Sequence, residues 1–388
     1  MIRVGQLSTS ITGGAGISAR RLNQGLLSHG IDSTFIHAPD SSFAEVKQIT
    51  SKVVTGLQRL MSRDVYGLAT PISISRLNRD DLLHNYDILH IHNWYNLISL
   101  KDIEFLGQRK PIIFTLHDER IISGGCHITN GCHAFQTKCS DCPAVRFGKN
   151  MISDSKTRTS RTLDAINTLQ IIGPSKWIMD QWSSAYPELN ANLNLIPNII
   201  QYPEDMSRKK DSEEFFEILF VSANLNAEVK GLATLLLALD SIPNQINNKL
   251  FRLNLVGRGV VDTKPHKFQI RKFGQTESSD VAGIMASCDL LVVPSVSENS
   301  PNVIAEALLA KLPVLATNVG GIPELIQNGR TGFLTEANVA SISGVLIDIF
   351  RDEKFSAVAE EGERFARNRW MNHENIQKHI SVYESLVR

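Results

Sequence analysis

No apolar run in this sequence approaches the ~18–20 residues that cross a bilayer, which argues against an α-helical membrane span. Net charge is missing too. Forty Lys and Arg balance 40 Asp and Glu, so no global field points to a nucleic acid or an acidic partner. No Walker sequence occurs, which excludes a P-loop ATPase. No Asp-x-Asp triplet occurs either. Paired aspartates holding Mg2+ or Mn2+ on a nucleotide diphosphate are therefore not expected, nor is a catalytic divalent metal. The opening Met1-Ile-Arg-Val-Gly-Gln-Leu7 is too short and polar for a signal peptide and reads as a strand. The expectation is a cytoplasmic protein. Cysteine is scarce, at five residues. In a reducing compartment these should be thiols or metal ligands rather than structural disulfides.

What is present is enough apolar residue, 42% of 388, to fill the cores of two domains of roughly 100–200 residues each. Strand-like and helix-like segments alternate throughout. Ile2–Ser8, Thr34–His37, Ile88–His92, Ile112–His117, Leu169–Gly173 and Asn194–Ile196 read as strands, and Ile17–Ser28 as a helix closed by Gly30. The polar stretch 201–214 reads as a linker. Beyond it, Glu217–Ser222, Arg252–Gly257, Lys267–Phe273, Leu290–Pro294 and Val314–Thr317 read as a second set of strands. The expected architecture is α/β, with two Rossmann-like doubly wound parallel sheets facing across a cleft. The expected domains are 1–200 and 215–370, with a C-terminal helix at 371–388 packing back on the first domain.

The most informative stretch is Glu298-Asn-Ser-Pro-Asn-Val-Ile-Ala-Glu306. It follows the apolar strand 288–294, with Ser300 as the expected helix cap and Pro301 as the first helical residue. Glu298 thus falls at the carboxyl end of a strand and Glu306 on the next helix, where open α/β sheets bind ligands. Two acids beside exposed helix N–H groups suit a hydroxyl-rich ligand carrying phosphate. Lys230-Gly231 follows another strand and precedes a helical run. A lysine there meets phosphates as a point charge, or else is a solvated surface residue.

Other motifs divide between function and packing. Gly13, Gly14 and Gly16 precede the first helix. Read as Gly14-x-Gly16-x-x-Ala19 they match a dinucleotide fingerprint, but they come five residues after the strand and lack the expected acid. A backbone approach to a ligand or a plain tight turn remain. His117-Asp118 closes the apolar strand 111–116 and points a polar residue toward the same kind of crevice. Cys126, Cys132, Cys139 and Cys142, spaced C-x5-C-x6-C-x2-C, could surround a structural zinc, with a disulfide pair or free thiols as alternatives. Cys288 reads as core. Residues 51–63 carry Val53, Val54, Leu57, Leu60 and Met61 on one helical face and Lys52, Arg59 and Arg63 on the other. That pattern fits a surface helix or a peripheral contact with the inner face of an anionic membrane.

Together, the Glu298-x7-Glu306 pair, Gly320-Gly321-Ile-Pro-Glu324, Asn328-Gly-Arg-Thr-Gly-Phe333 and Lys230-Gly231 resemble GT-B glycosyltransferases of family 4. The cysteine insert 124–145, closing on Cys142-Pro143, is similar to a subgroup related to colanic acid and other exopolysaccharide transferases. The resemblance implies a retaining, metal-independent, hexosyltransferase-type enzyme of polysaccharide biosynthesis. Its donor would be a nucleotide diphosphate sugar and its acceptor a hydroxyl of a glycan or lipid-linked glycan. It places Glu298 by the donor sugar, Glu306 on the ribose hydroxyls, Lys230 on the diphosphate and His117 near the scissile bond. Gly13 and Gly14 would close against the diphosphate or acceptor, Gly257 would face the nucleotide, and backbone near Phe273 would meet the base. Amides of Asn299, Ser300, Asn302 and Val303 would serve the phosphates. Two departures matter. Asn224 stands where many members have an arginine, and Pro301 where many have a glycine. The alternatives are an NAD-binding oxidoreductase and a non-catalytic nucleotide-sugar-binding partner, the latter favoured by Asn224.

Overall fold

Four short strands, Ile88–Ile91, Ile112–Thr115, Leu290–Val293 and Val314–Thr317, are buried at every position. Continuous burial, rather than alternation, is what parallel strands covered on both faces require. In the computed structural model, residues 1–37, 75–203, 214–246, 249–261, 265–351, 355–371 and 373–387 are described, with positions 56, 60, 61 and 68. They form two compact units, Met1–Ile199 with His373–Arg388, and Ile200–Asn372. Most of 51–63, and with it the membrane-contact expectation, lies outside the described residues. Among those described, no helix is long and apolar enough to cross a membrane.

The first unit contains strands β1 (Arg3–Leu7), β2 (Asp32–Ile36), β3 (Ile88–Ile91), β4 (Ile112–Thr115), β5 (Leu169–Gly173) and β6 (Asn192–Leu195). All are parallel, in the order β2-β1-β3-β4-β5-β6. Its helices are α1 (Gly13–Ser28), α2 (Arg79–Asn85), α3 (Leu100–Gly107), α4 (Lys149–Asp164) and α5 (Lys176–Ala185). The second unit contains β7 (Phe215–Asn224), β8 (Gln245–Ile246), β9 (Lys249–Arg258), β10 (Gln269–Gly274), β11 (Leu290–Val293), β12 (Val314–Thr317) and β13 (Phe333–Thr335). The order is β10-β9-β7-β11-β12-β13, all parallel, with β8 antiparallel on β9. Its helices are α6 (Leu232–Ser241), α7 (Ser278–Ser287), α8 (Asn302–Leu309), α9 (Val339–Arg351) and α10 (Phe355–Trp370). The last helix, α11 (Glu374–Leu386), belongs to the first unit.

Strand order reverses between β1 and β3 in the first sheet and between β7 and β11 in the second. Adjacent strands there send their connections to opposite faces, which opens a crevice at their carboxyl ends. In the first unit, one sheet face packs Val4, Ile88, Ile113 and Ile172 against Leu22 and Leu26 of α1 and Ile376, Ile380 and Tyr383 of α11. Burying each such side chain contributes roughly 1.5–3 kcal/mol, enough to hold a 13-residue terminal helix whose own propensity is marginal. The other face packs Leu89, Ile91, Ile112 and Phe114 among Ile103, Leu106 and Leu163.

Two local expectations shift. The first helix starts at Gly13 rather than Ile17, so Gly13 and Gly14 are its first turn and not a preceding loop. Pro301 occupies the cap position of α8, with φ −69° and ψ 115°, and Asn302 is the first helical residue. The proline ring sets φ, but ψ there is still extended.

Candidate active site

In the second unit the reversal point gathers charge. After β7, the carbonyl of Asn224's side chain accepts from Asn226 N at 3.0 Å. Asn226 is in turn tied to Val260 by bonds of 2.7 and 3.0 Å. A single helical turn, Glu228–Lys230, follows. Gly231 then adopts φ 73°, and a Cβ there would lie 1.9 Å from the carbonyl oxygen of Pro294. Only glycine fits this left-handed turn pressed on the end of β11. Val296 N donates to Val229 O at 2.9 Å, fastening the two loops. Gly231→Ala is therefore expected to lower stability by about 1–3 kcal/mol. Urea unfolding of the variant checks this, and a midpoint equal to wild type would contradict the close approach.

The fastening brings residues 68 apart into contact. Lys230 Nζ donates to both carboxylate oxygens of Glu298, at 2.7 and 2.8 Å. The lysine side chain is 30% exposed and the glutamate 16%. Glu298 is held from behind. Its carbonyl accepts from Gly321 N at 3.0 Å, and Gly320, at φ 56°, leaves no room for a Cβ, which would meet that carbonyl oxygen at 1.9 Å. The Thr317 hydroxyl donates to Ser295 O and fixes the start of the same loop. Asn299, Ser300, Asn302 and Val303 continue from Glu298 into α8, whose N-terminal N–H groups carry partial positive charge. Glu306 lies one turn further on, half-buried. The Tyr202 hydroxyl is pushed up to about 12 by burial first and by the charge of the Glu306 carboxylate second.

Gly257 closes the other side of β7. A Cβ there would fall 1.7 Å from Ser222 O. The β7–β9 register slips between Val221 and Asn224, and Asn224 then pairs with Arg258. A cation therefore stands on the neighbouring strand beside the position where arginine was expected. Phe273 is not part of this group. It lies on the edge strand β10, two strands from β7, and is 37% exposed.

The remaining site candidates belong to the first unit. His117 follows β4 and is held by His92, whose Nδ1 lies 2.9 Å from His117 Nε2. Burial lowers the His117 pKa to about 4, with Asp118 opposing, so the ring is neutral at pH 7. Asp118 is held well below the usual carboxylate range by Arg120 and His127, against the effect of its own burial. Arg120 also caps the Tyr95 ring at 4.2 Å. Five residues separate β1 from Gly13, and Gly16 sits against Ser10 O, where a Cβ would come within 2.3 Å. Gly16 thus serves the packing of the turn, and the first glycine does not stand at the strand end as a dinucleotide fingerprint requires.

The zinc expectation finds no support among the described residues. Among the described residues, no three His, Cys, Asp or Glu side chains converge as a metal-holding group. Cys126, Cys139 and Cys142 are buried in the core with Phe135, Ala144 and Val145, and all four remain free thiols. Cys126 and Cys142 hydrogen-bond to one another. That bond, with N–H groups of Ala144 and Val145, lowers Cys142 to about 6 and raises Cys126. The insert packs three of the four thiols as core side chains, and Cys132 is half-buried.

Sequence reasoning also missed His92, which touches His117, and Gln6, Tyr383 and His90, which continue the hydrogen-bonded chain behind it. The signal was present. Val4/Gln6, Ile88/His90/His92 and Ile113/Thr115/His117 share one face at period two, and each row turns polar toward the carboxyl ends.

Twin doubly wound parallel sheets, the second with a lysine–glutamate pair at its reversal point, define the GT-B class of fold. A model of glycosyltransferase family 4 matches residues 12–201, and one of glycosyl transferases group 1 matches 216–352. The chain belongs to this glycosyltransferase family. It is 23% identical to WcaC of Escherichia coli K12, named as a colanic acid biosynthesis glycosyl transferase, over 96% of this chain and 97% of that protein. It is 27% identical to N-acetyl-alpha-D-glucosaminyl L-malate synthase of Bacillus anthracis, over 78% of this chain and 74% of that one. Solved structures with the same fold include sucrose-phosphate synthase from Thermosynechococcus elongatus (TM-score 0.65, 14% identity, 100% and 99% coverage). Another is Anabaena HepE in complex with UDP-glucose (TM-score 0.61, 17% identity, 100% and 99% coverage).

Proposed function

We propose that this glycosyltransferase moves a hexose from a nucleotide diphosphate sugar to a hydroxyl of a glycan or lipid-linked glycan in polysaccharide biosynthesis, with retention of configuration. The observation that carries the reading is the Lys230–Glu298 pair at the β7–β11 reversal point. Transfer develops positive charge on the sugar and negative charge on the leaving diphosphate. Lys230 and the N–H groups opening α8 meet the negative charge electrostatically, without a divalent metal. Glu298 accepts from donor-sugar hydroxyls once Lys230 turns to the phosphate. Glu306 accepts from the ribose hydroxyls, and His117 meets the reacting sugar. In a same-face substitution the leaving phosphate helps to deprotonate the acceptor, so Glu298 is not a nucleophile. The likeness to WcaC supports a polysaccharide acceptor, and HepE with UDP-glucose supports a UDP-sugar donor.

The test is a screen of UDP-, GDP- and dTDP-sugars with the purified protein, followed by kinetics of Glu306→Ala. Losing two ribose hydrogen bonds to a charged acceptor is expected to raise the donor KM by about tenfold to a hundredfold with kcat little changed. An unchanged KM would remove Glu306 from the donor site.

A further inference from the structure

The second unit opens on residues 200–202. Ile200 is buried, and Tyr202 packs against the same apolar cluster, which holds Ile304, Ala305, Ala307 and Leu308 of α8 with Leu291 and Val293 of β11. The Tyr202 side chain as a whole is only half-buried. Its hydroxyl is the part shut away, closed off from solvent and without a hydrogen-bond partner among the described residues. A tyrosine ordinarily does the reverse, packing its ring and giving its hydroxyl to water or a partner. A buried hydroxyl left unpaired lowers stability, and native proteins retain few of them.

Glu306 is on α8, the helix whose apolar residues belong to that cluster. Burial raises the Tyr202 hydroxyl first, and the charge of Glu306 raises it further. The two groups therefore act on one another without sharing a hydrogen bond. Their bonding roles are complementary. An ionised carboxylate only accepts, whereas a phenol at neutral pH has a proton to donate. A ligand hydroxyl satisfies both at once, since it donates to the carboxylate and accepts from the phenol. A phosphate oxygen does not, because it has no proton to give and is repelled by the carboxylate charge.

We propose that Tyr202 is a further binding residue of the donor site, donating from its hydroxyl to the ribose hydroxyl that donates to Glu306. The ribose rests on the function proposed above. That the partner of Tyr202 comes from the ligand rests on the orphaned hydroxyl itself. The pair then distinguishes a nucleotide that carries the shared hydroxyl from one that lacks it. It also separates binding from folding. A structural hydroxyl stabilises the free protein, whereas this one is satisfied only in the complex.

The experiment is calorimetric titration of the full-length protein and of Tyr202→Phe with UDP and GDP. It is repeated with the 2′-deoxy and 3′-deoxy forms of the nucleotide that binds, and paired with urea unfolding of both proteins without ligand. Phenylalanine keeps the ring in the cluster and removes only the oxygen. Tyr202→Phe should bind the ribonucleotide about three- to tenfold more weakly, with a urea midpoint no lower than wild type. The difference in affinity should vanish with one of the two deoxy forms, the one lacking the shared hydroxyl. A lower urea midpoint without ligand, or the same loss of affinity for the ribonucleotide and both deoxy forms, overturns the proposal. Unchanged affinity in Tyr202→Phe where Glu306→Ala weakens binding removes Tyr202 and leaves the donor-site reading standing. Binding of neither UDP nor GDP overturns both the contact and the ribose role of Glu306 on which it rests.

Discussion

Lys230→Ala is expected to lower kcat by about two to three orders of magnitude, the loss seen when a preorganised donor to developing negative charge is removed. The geometry gives the reason. Lys230 is the cation fastened at the reversal point, on a turn locked by Gly231 against Pro294. Its neighbour in the β7 strand end is a neutral asparagine, Asn224, with Arg258 one strand away. On the function proposed above, the leaving diphosphate would depend on this one side chain more than it would with a second arginine at position 224. Lys230→Arg keeps the charge but not the compact ammonium, and should retain more of the rate than Lys230→Ala. Steady-state transfer assays separate these outcomes. A Lys230→Ala enzyme within threefold of wild-type kcat would remove electrostatic stabilisation by Lys230 from the mechanism.

The second large effect is on stability in acid. Burial, with added repulsion between imidazoles, holds His90 and His92 well below their ordinary range. Burial lowers His117 to about 4 and His379 to about 3. All four belong to the first unit. In the unfolded chain they titrate near 6.5, so below that pH the unfolded state binds protons that the folded unit refuses. Stability then falls as pH falls. Glu119 acts in the opposite direction, since burial raises it to about 7 and the folded state holds its proton between about 7 and 4.5. Lys156, lowered to about 7 by burial, is protonated in both states below that value and contributes nothing in acid. Four protons against one leaves about three, so stability should drop by up to about 4 kcal/mol per pH unit between pH 6 and 5. Trp94, Trp177 and Trp182 lie in the first unit and Trp370 in the second, so tryptophan fluorescence during urea unfolding mainly follows the first unit. A midpoint independent of pH over that range would contradict neutral burial of the histidines.

The fold was readable because parallel strands buried on both faces leave unbroken apolar runs. Leu290–Val293 and Ile112–Thr115 are found where those runs lie. The segment after each run was readable for the same reason, since a polar residue directly beyond a buried strand has to emerge at its carboxyl end. Glu298 and His117 were both located that way. What the local pattern could not carry was pairing over distance. The ion pair of Lys230 with Glu298 depends on β7 and β11 being neighbours, which strand order decides and sequence adjacency does not. Tyr383 reaches Gln6 only because α11 packs on the β1 face. The surroundings of the cysteines were hidden for a related reason. Four thiols within 17 positions, 126 to 142, satisfy a spacing rule, but spacing does not show that Cys126, Cys139 and Cys142 are buried among apolar core side chains. Pro301 was displaced by one position because a ring that fixes φ leaves ψ open.

The central claim is that the β7–β11 reversal point of the second unit is a nucleotide diphosphate site built on Lys230, Glu298 and Glu306. Calorimetric titration of the purified protein with UDP, GDP, dTDP and NAD tests it most directly, repeated with Lys230→Ala and Glu306→Ala. The account predicts that a nucleoside diphosphate binds at one equivalent and that each substitution weakens it at least tenfold. Binding of NAD instead, or a diphosphate affinity untouched by both substitutions, would contradict it.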